Sequence, residues 1–270
     1  MSTGFLERVK DLPRLGLGVS TEFGAFGHEH TLDPEKLLEL DPRFAGFVEV
    51  GVEVAKGLDA PTRAWIERGR PTTFHFLDVN LDEPEDFDEP WLDALRELIA
   101  QVRPAWLCGD AGLWHFGRRE RGHMLLLPPV LSDASAISFA AGVARLRHET
   151  GYEVIPENPP GSVYLGNLHL LDFFARVCQR ADTGFLLDVA HLAIYQRALG
   201  HHPLTGLDGF PLERIVEVHV AGGIERSHDG YAWIEDAHAP QVLADTWQIL
   251  DAILDRTPNL RAVVFECERS

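Results

Sequence analysis

Cysteine is scarce in this 270-residue chain, with only Cys108, Cys178 and Cys267, and no C-x-x-C spacing joins them. An odd, scattered set speaks against a disulfide framework and against a cysteine-built zinc module. It fits a reducing compartment, so a cytoplasmic protein is expected. Positive charge is also short: 24 Lys and Arg stand against 42 Asp and Glu, a formal net charge of -18. Nucleic acid is bound through Lys and Arg that neutralise its phosphates, so it is not an expected partner. No apolar run reaches the roughly 20 residues of a membrane span. None follows the first basic residues as the core of a signal peptide would. No Gly-x-Gly-x-x-Gly follows the first strand-like run, which disfavours an open dinucleotide-binding sheet. Repeats, low-complexity tracts and dividing linkers are all missing.

What is present is a regular alternation. Hydrophobic residues make up 45% of the chain, enough for a sizeable core. Eight short runs rich in Val, Ile, Leu and Phe read as buried strands: Leu15–Ser20, Gly46–Glu53, Thr72–Val79, Ala105–Asp110, Tyr152–Asn158, Gly184–His191, Arg214–Gly222 and Arg261–Glu268. Helical spacing falls between most of them, over Pro34–Leu40, Trp91–Val102, Ser135–Thr150, Leu168–Arg180 and Val242–Leu254. Asp133 is the expected N-cap of the third, Gly151 its stop, and Pro104 a stop after the second. Alternating strands and helices imply a parallel sheet. Eight units in about 250 residues predict an α/β protein of the (β/α)8 TIM-barrel class, with residues 1–270 as a single domain.

A barrel of this class builds its site where strands end and the following loops begin. Those ends are unusually polar here: Glu53, then His75 with Asp78 and Asn80, Asp110, Glu157 with Asn158, Asp188 with His191, His219, and Glu266 with Glu268. The loop after the seventh strand adds His228, Asp229, Asp236 and His238. Taken singly, an Asp there is often a helix cap and a His a hydrogen-bonded structural residue. Together they would repel one another unless cations neutralised them. Mixed oxygen and imidazole ligands suit Fe, Mn, Co or Zn better than Ca. There are too many candidates for one ion, so two or three metals are expected. Asp236 and His238, two residues apart, would face the same side of an extended segment.

The motifs themselves resemble the multinuclear non-heme iron-dependent oxidative enzymes, barrel proteins that modify ribosomally made peptides, among them the methanobactin-biosynthesis type. Glu157-Asn158-Pro159 is similar to the family's ENP motif, Leu187 to His191 to LDVNN, and Glu217 to Gly222 to EIHLAG. Asp236-Ala237-His238 matches D-x-H, and Phe265-Glu266 the final IE pair. His75 fits a strand-three His, and His123 with Leu125 to Pro129 fits H-x-x-x-LLPLP. The resemblance implies His75, Asp110, Glu157, Asp188, His191, His219, Asp236, His238 and Glu266 as iron ligands, with Glu157, Asp188 and His191 nearest the chemistry. Glu53, Asn158, His123 and Arg118 would support the ligands or face substrate. It further implies two or three irons as Fe(II)/Fe(III), O₂ as co-substrate, oxidation at a cysteine of a precursor peptide, and a separate partner protein that holds the leader peptide.

Two departures from the family pattern stand out. Its SEHL or SDHL motif becomes Gly109-Asp110-Ala111-Gly112 here, and a strand-two His becomes Gly51. One iron is then missing or held differently, with His28, His30 or His115 as substitutes unless these are plain loop residues. The alternative function is a divalent-metal sugar isomerase or epimerase-like barrel using Glu157, Asp188, His219 and Glu266. Other loop residues left open are Trp114, Tyr195 and Trp233 as groove walls, and Arg118, Arg119 and Arg121 as a basic cluster that binds a carboxylate or is simply solvated.

Overall fold

The computed structural model describes residues 4–21, 33–44, 46–117, 121 and 125–267. The strands are β1 (Gly16–Ser20), β2 (Phe47–Val52), β3 (Thr72–Phe76), β4 (Leu107–Asp110), β5 (Val130–Leu131), β6 (Val154–Glu157), β7 (Leu165–Gly166), β8 (Phe185–Asp188), β9 (Ile215–Ala221), β10 (Gly223–His228), β11 (Tyr231–Asp236) and β12 (Ala262–Glu266). The α-helices are α1 (Phe5–Arg8), α2 (Pro34–Leu40), α3 (Ala60–Glu67), α4 (Glu89–Val102), α5 (Asp133–Thr150), α6 (Leu170–Ala181), α7 (Val189–Ala198) and α8 (Ala244–Leu254).

Eight of the strands close into a parallel barrel in the order β1-β12-β9-β8-β6-β4-β3-β2. Closure is explicit, because β1 pairs in parallel with both β12 and β2. Strands of such a barrel are covered on both faces and read as continuous apolar runs rather than alternating ones. Thus all six residues of β2 and all seven of β9 are buried. The expected (β/α)8 barrel is therefore what the chain forms. Capping is local and legible. Asp33, Asp59 and Asp88 each accept a backbone N–H at the start of α2, α3 and α4, and each helix carries Pro in its first turn.

Four differences from the sequence reading stand out among shifts of a few residues elsewhere. Helix α5 begins at Asp133 because Ser132 is the cap, and Asp133 instead pairs with Arg176 and Arg180. The strand expected to reach His191 stops at Asp188, whose Oδ1 accepts the His191 amide at 2.6 Å and so starts α7. The third strand ends at Phe76 rather than Val79. The segment expected as a loop after the seventh strand is an antiparallel hairpin, β10 against β11.

The two ends of the barrel are unlike. At the N-terminal end of the strands, α1 plugs the opening: Phe5 and Val9 are fully buried among Trp106, Ile155 and Val216. Arg8 locks the plug through Glu153 and Asp182. On the flank, α5 rests directly on backbone, since a Cβ at Gly142 would lie 1.7 Å from the Leu81 carbonyl oxygen. Only the C-terminal end is left to the polar residues. No helix among the described residues is long and apolar enough to cross a membrane.

Candidate metal centre

Six strand ends deliver one side chain each to the same place: His75 on β3, Asp110 on β4, Glu157 on β6, Asp188 on β8, His219 on β9 and Glu266 on β12. The sheet register sets Asp110 beside Glu157 and Asp188 beside His219. Three more arrive from outside the barrel wall, His191 from the first turn of α7 and Asp236 and His238 from the foot of the hairpin. All are buried except Asp236, which is partly so.

The nine form one continuous cluster. His75 Nε2 lies 2.7 Å from Glu157 Oε2 and 3.9 Å from Asp110 Oδ2. Glu157 Oε1 is 3.4 Å from His219 Nδ1, which is 3.3 Å from Glu266 Oε1. His238 Nε2 sits 3.7 Å from Glu266 Oε2 and 3.4 Å from Asp236 Oδ2. Asp236 Oδ2 is 3.1 Å from His191 Nε2, itself 3.6 Å from Asp188 Oδ2. Glu157 is shared: His75, Asp110 and Glu157 make one group able to surround an ion, and Glu157, Asp188 and His191 another.

The local chemistry that holds them is specific. Asn158 sews β6 to β8, donating to the Asp188 carbonyl (2.9 Å) while its Oδ1 accepts the Asp188 amide (3.0 Å). The Asn158 carbonyl lies 2.8 Å from His191 Nδ1, which must therefore carry the proton. That leaves the Nε2 lone pair of His191 aimed at Asp236 and Asp188, the arrangement that orients a ligating imidazole. The hairpin foot is pinned at Gly222, whose carbonyl accepts from the amides of Ala237 (3.3 Å) and Ala239 (3.1 Å). A Cβ on Gly222 would lie 1.9 Å from the Ala239 carbonyl oxygen, so only glycine permits this return. His238, between them, takes a left-handed backbone (φ 45°) rather than the extended one expected, and still reaches Asp236.

Burial and the crowding of like charges set the protonation of the cluster. Burial opposes charge on His75, but Glu157, Glu49 and Asp110 outweigh it and push the imidazole up to about 10. Burial, helped by Glu266 and Glu157, raises the Asp188 carboxyl to about 8 against the pull of His191 and His219. Burial also works against ionising Glu157, Asp236 and Glu266, yet the neighbouring imidazoles hold all three below the ordinary carboxylate range. Several buried polar atoms have no hydrogen-bond partner among the described residues: His75 Nδ1, Asp188 Oδ2, His219 Nδ1, Asp236 Oδ1 and Glu266 Oε2. Buried polar groups are rarely left so. Carboxylate oxygens and imidazole nitrogens converging with orphaned lone pairs fit divalent transition-metal ions, which supply what each atom lacks.

Other sequence-predicted residues do different work. Glu53 pairs with Lys56 at 2.8 Å. Asp78 accepts from the Val54 amide and the Trp91 indole, and Asn80 ties Trp114 N to the His115 carbonyl. His115 is buried against Asp86 (Nε2 to Oδ2 2.8 Å) and the Gly117 carbonyl (Nδ1 2.7 Å) and belongs to none of the ligand groups found among the described residues, so it does not replace a missing ligand. His228 and Asp229 are exposed at the hairpin tip. Trp114 and Tyr195 are core, not groove walls; Trp233 is 41% exposed and lines a cleft of about 530 Å³ between α7 and the hairpin. Arg121 clamps the Asp78 and Asp86 carbonyls. Arg118, Arg119, His123, His28, His30 and Glu268 lie outside the described residues.

Sequence reading missed a second, deeper layer. Glu49, Cys108 and Glu217 are fully buried inside the barrel and form a further cluster, with Glu49 also grouped with His219 and Glu266. The signal was present as the two-residue period of a strand: Glu217 precedes His219 by two and must share its inward face.

The chain is thus a parallel (β/α)8 barrel with a buried carboxylate–imidazole cluster, a candidate metal site, at its C-terminal mouth. The chain belongs to the family of RiPP precursor modification enzymes MbnB/TglH/ChrH, whose sequence profile matches residues 27–270. Among curated relatives, a UPF0276 protein of Caulobacter vibrioides (strain NA1000 / CB15N) is 27% identical over 249 residues, 90% of this chain and 84% of that protein. A UPF0276 protein of Anaeromyxobacter sp. (strain Fw109-5) is 26% identical over 203 residues, 74% of this chain and 69% of that protein. Solved structures share the fold. The IOLI protein with a bound zinc atom has a TM-score of 0.59 at 12% identity, covering 94% of this chain and 89% of that one. A xylose isomerase domain containing protein of Salmonella typhimurium LT2 has a TM-score of 0.58 at 12% identity, again covering 94% and 89%.

Proposed function

We propose that this chain is a multinuclear, iron-dependent oxidative enzyme acting on a ribosomally made precursor peptide, at a cysteine. The single observation that carries the reading is the shared carboxylate: Glu157 belongs to two ligand groups at once, His75–Asp110–Glu157 and Glu157–Asp188–His191. A carboxylate so placed could serve a pair of ions, and family membership supports a peptide substrate. The nine residues His75, Asp110, Glu157, Asp188, His191, His219, Asp236, His238 and Glu266 are assigned as ligands of two or three irons. Gly51, opposite His75 in the register, and Ala111 offer no ligating side chain to any of them.

Bound iron, as Fe(II)/Fe(III), would supply the activation of O₂ for oxidation of the peptide. The protein's own part is to hold the ions, keep water out and orient the peptide. Asn158 fixes Asp188 and His191 relative to each other, and the cleft beside Trp233 opens between α7 and the hairpin, the two elements that carry His191 and Asp236. A separate leader-binding protein completes the reading, with residues 1–270 acting as one barrel domain.

The second reading, a one-metal sugar epimerase, rests on the Glu157–Asp188–His219–Glu266 subset. It gives no metal role to His75, Asp110, His191 and His238, all buried, or to partly buried Asp236. Metal analysis separates the two: anaerobically purified protein should carry two or three irons per chain and a mixed-valent electron paramagnetic signal. One Mn or Zn and no iron would sink the iron reading.

A further inference from the structure

His219 stands between two layers of carboxylate. Its Nδ1 faces outward, 3.4 Å from Glu157 Oε1 and 3.3 Å from Glu266 Oε1. Its Nε2 faces inward, 3.1 Å from Glu49 Oε1. The other Glu49 oxygen is already engaged, 3.2 Å from Thr73 Oγ1 and 3.1 Å from Cys108 Sγ, both of which donate to it. Burial raises the Cys108 thiol well above its ordinary value, so it stays a donor. Thr73 sits beside Glu49 in the β2–β3 register, so this hold is built into the sheet. All four side chains are buried.

A neutral imidazole has one N–H and one lone pair. If the proton were on Nδ1, the Nε2 lone pair would face the Glu49 carboxylate and the N–H would point into the cation site. With the proton on Nε2, the N–H faces Glu49 Oε1, neither atom having another hydrogen-bond partner among the described residues, and the Nδ1 lone pair is presented to the ion. We infer that Glu49 is a positioning residue: it selects the Nε2–H tautomer of His219, fixes the ring, and thereby commits Nδ1 to the metal. Thr73 and Cys108 hold Glu49 in turn. This inference rests on the metal-site reading above and adds to it a residue outside the ligand set.

The test uses Zn(II), a diamagnetic probe of the same site, with calorimetric affinities and 15N-histidine NMR of the loaded protein, His219 being assigned through His219→Asn. Wild type should show the His219 proton on Nε2 and protected from exchange. Glu49→Ala should bind Zn(II) 10- to 100-fold more weakly at unchanged stoichiometry and lose that protected proton. Glu49→Gln keeps the shape and an acceptor oxygen; it should recover affinity to within about tenfold of wild type, with the Nε2 proton shifted upfield. It also carries the test should Glu49→Ala fail to fold. The inference is overturned if the proton is on Nδ1, or if both variants bind like wild type with the His219 signals unmoved. A stoichiometry that drops by one ion in Glu49→Ala also overturns it, because Glu49 would then be a ligand itself. Wild type that binds no cation takes down the metal-site reading and this inference together, an outcome distinct from those three.

Discussion

Loading the metal centre should expel protons, and the structure sets how many. In the cation-free protein His75 titrates at about 10 and Asp188 at about 8. At pH 7 the first is fully protonated and the second about nine-tenths so. Both must be deprotonated to act as ligands. At about 1.4 kcal/mol per pH unit, the deprotonations oppose binding by about 4 and about 1 kcal/mol, together on the order of 5. The apparent affinity should therefore climb at least ~100-fold per pH unit between pH 6 and 8, and about tenfold less steeply above pH 8 once Asp188 is ionised. Titration with Mn(II) at pH 7 in three buffers of different ionisation enthalpy reads the proton count directly. About two protons or more should be released, since His191 and His219 are also raised well above their ordinary value. The sign carries over to stability. A raised His75 stabilises the cation-free fold below about pH 6.5 and loses that contribution as pH rises through 10. A raised Asp188 acts in the same direction, its term fading between about pH 4 and 8. The gap in Tm between loaded and cation-free protein should thus widen from pH 6 to 9. A buffer-independent enthalpy, or an affinity flat between pH 6 and 8, would refute the assignment of His75 and Asp188 as ligands.

Two substitutions separate ligation from structure. Asp188→Asn keeps an oxygen for the His191 amide at the start of α7, so it should lose bound metal and activity with little change in Tm; Asp188→Ala should add a capping loss of about 1 kcal/mol, read by denaturant unfolding. His115→Gln should do the reverse, costing about 1 kcal/mol through the lost imidazole contact with buried Asp86, which keeps the Asn80 amide and Arg121, while leaving metal content unchanged. Metal lost from that variant would return His115 to the ligand set.

The barrel was readable because its signals are local and repeated. Apolar runs such as the one over Phe47–Val52, and the Asp–Pro starts of α2, α3 and α4, need no tertiary information. The nine-residue cluster was readable for a related reason: topology sends every strand end to one mouth, so position along the strand predicts place in space. What escaped depended on long-range geometry. Ser132 outcompeted Asp133 as a cap because Arg176 and Arg180, more than forty residues on, draw Asp133 away. His115 resembles a loop ligand until Asp86 is seen against it. Glu49 lies in mid-strand, where a carboxylate reads as an anomaly in an apolar run until His219 is found across the barrel.

The Gly222 latch bears on how this architecture can be altered. Because the amides of Ala237 and Ala239 return to the Gly222 carbonyl, the chain from Gly223 to Asp236 is a closed excursion whose two feet are fixed independently of its length. Asp236 and His238 take their positions from the latch, not from the exposed tip at Asp229-Gly230. The excursion is thus a module in the engineering sense. Residues can be inserted, deleted or labelled at its tip to reshape the wall of the cleft beside Trp233, while the geometry of Asp236 and His238 at its base is conserved by construction.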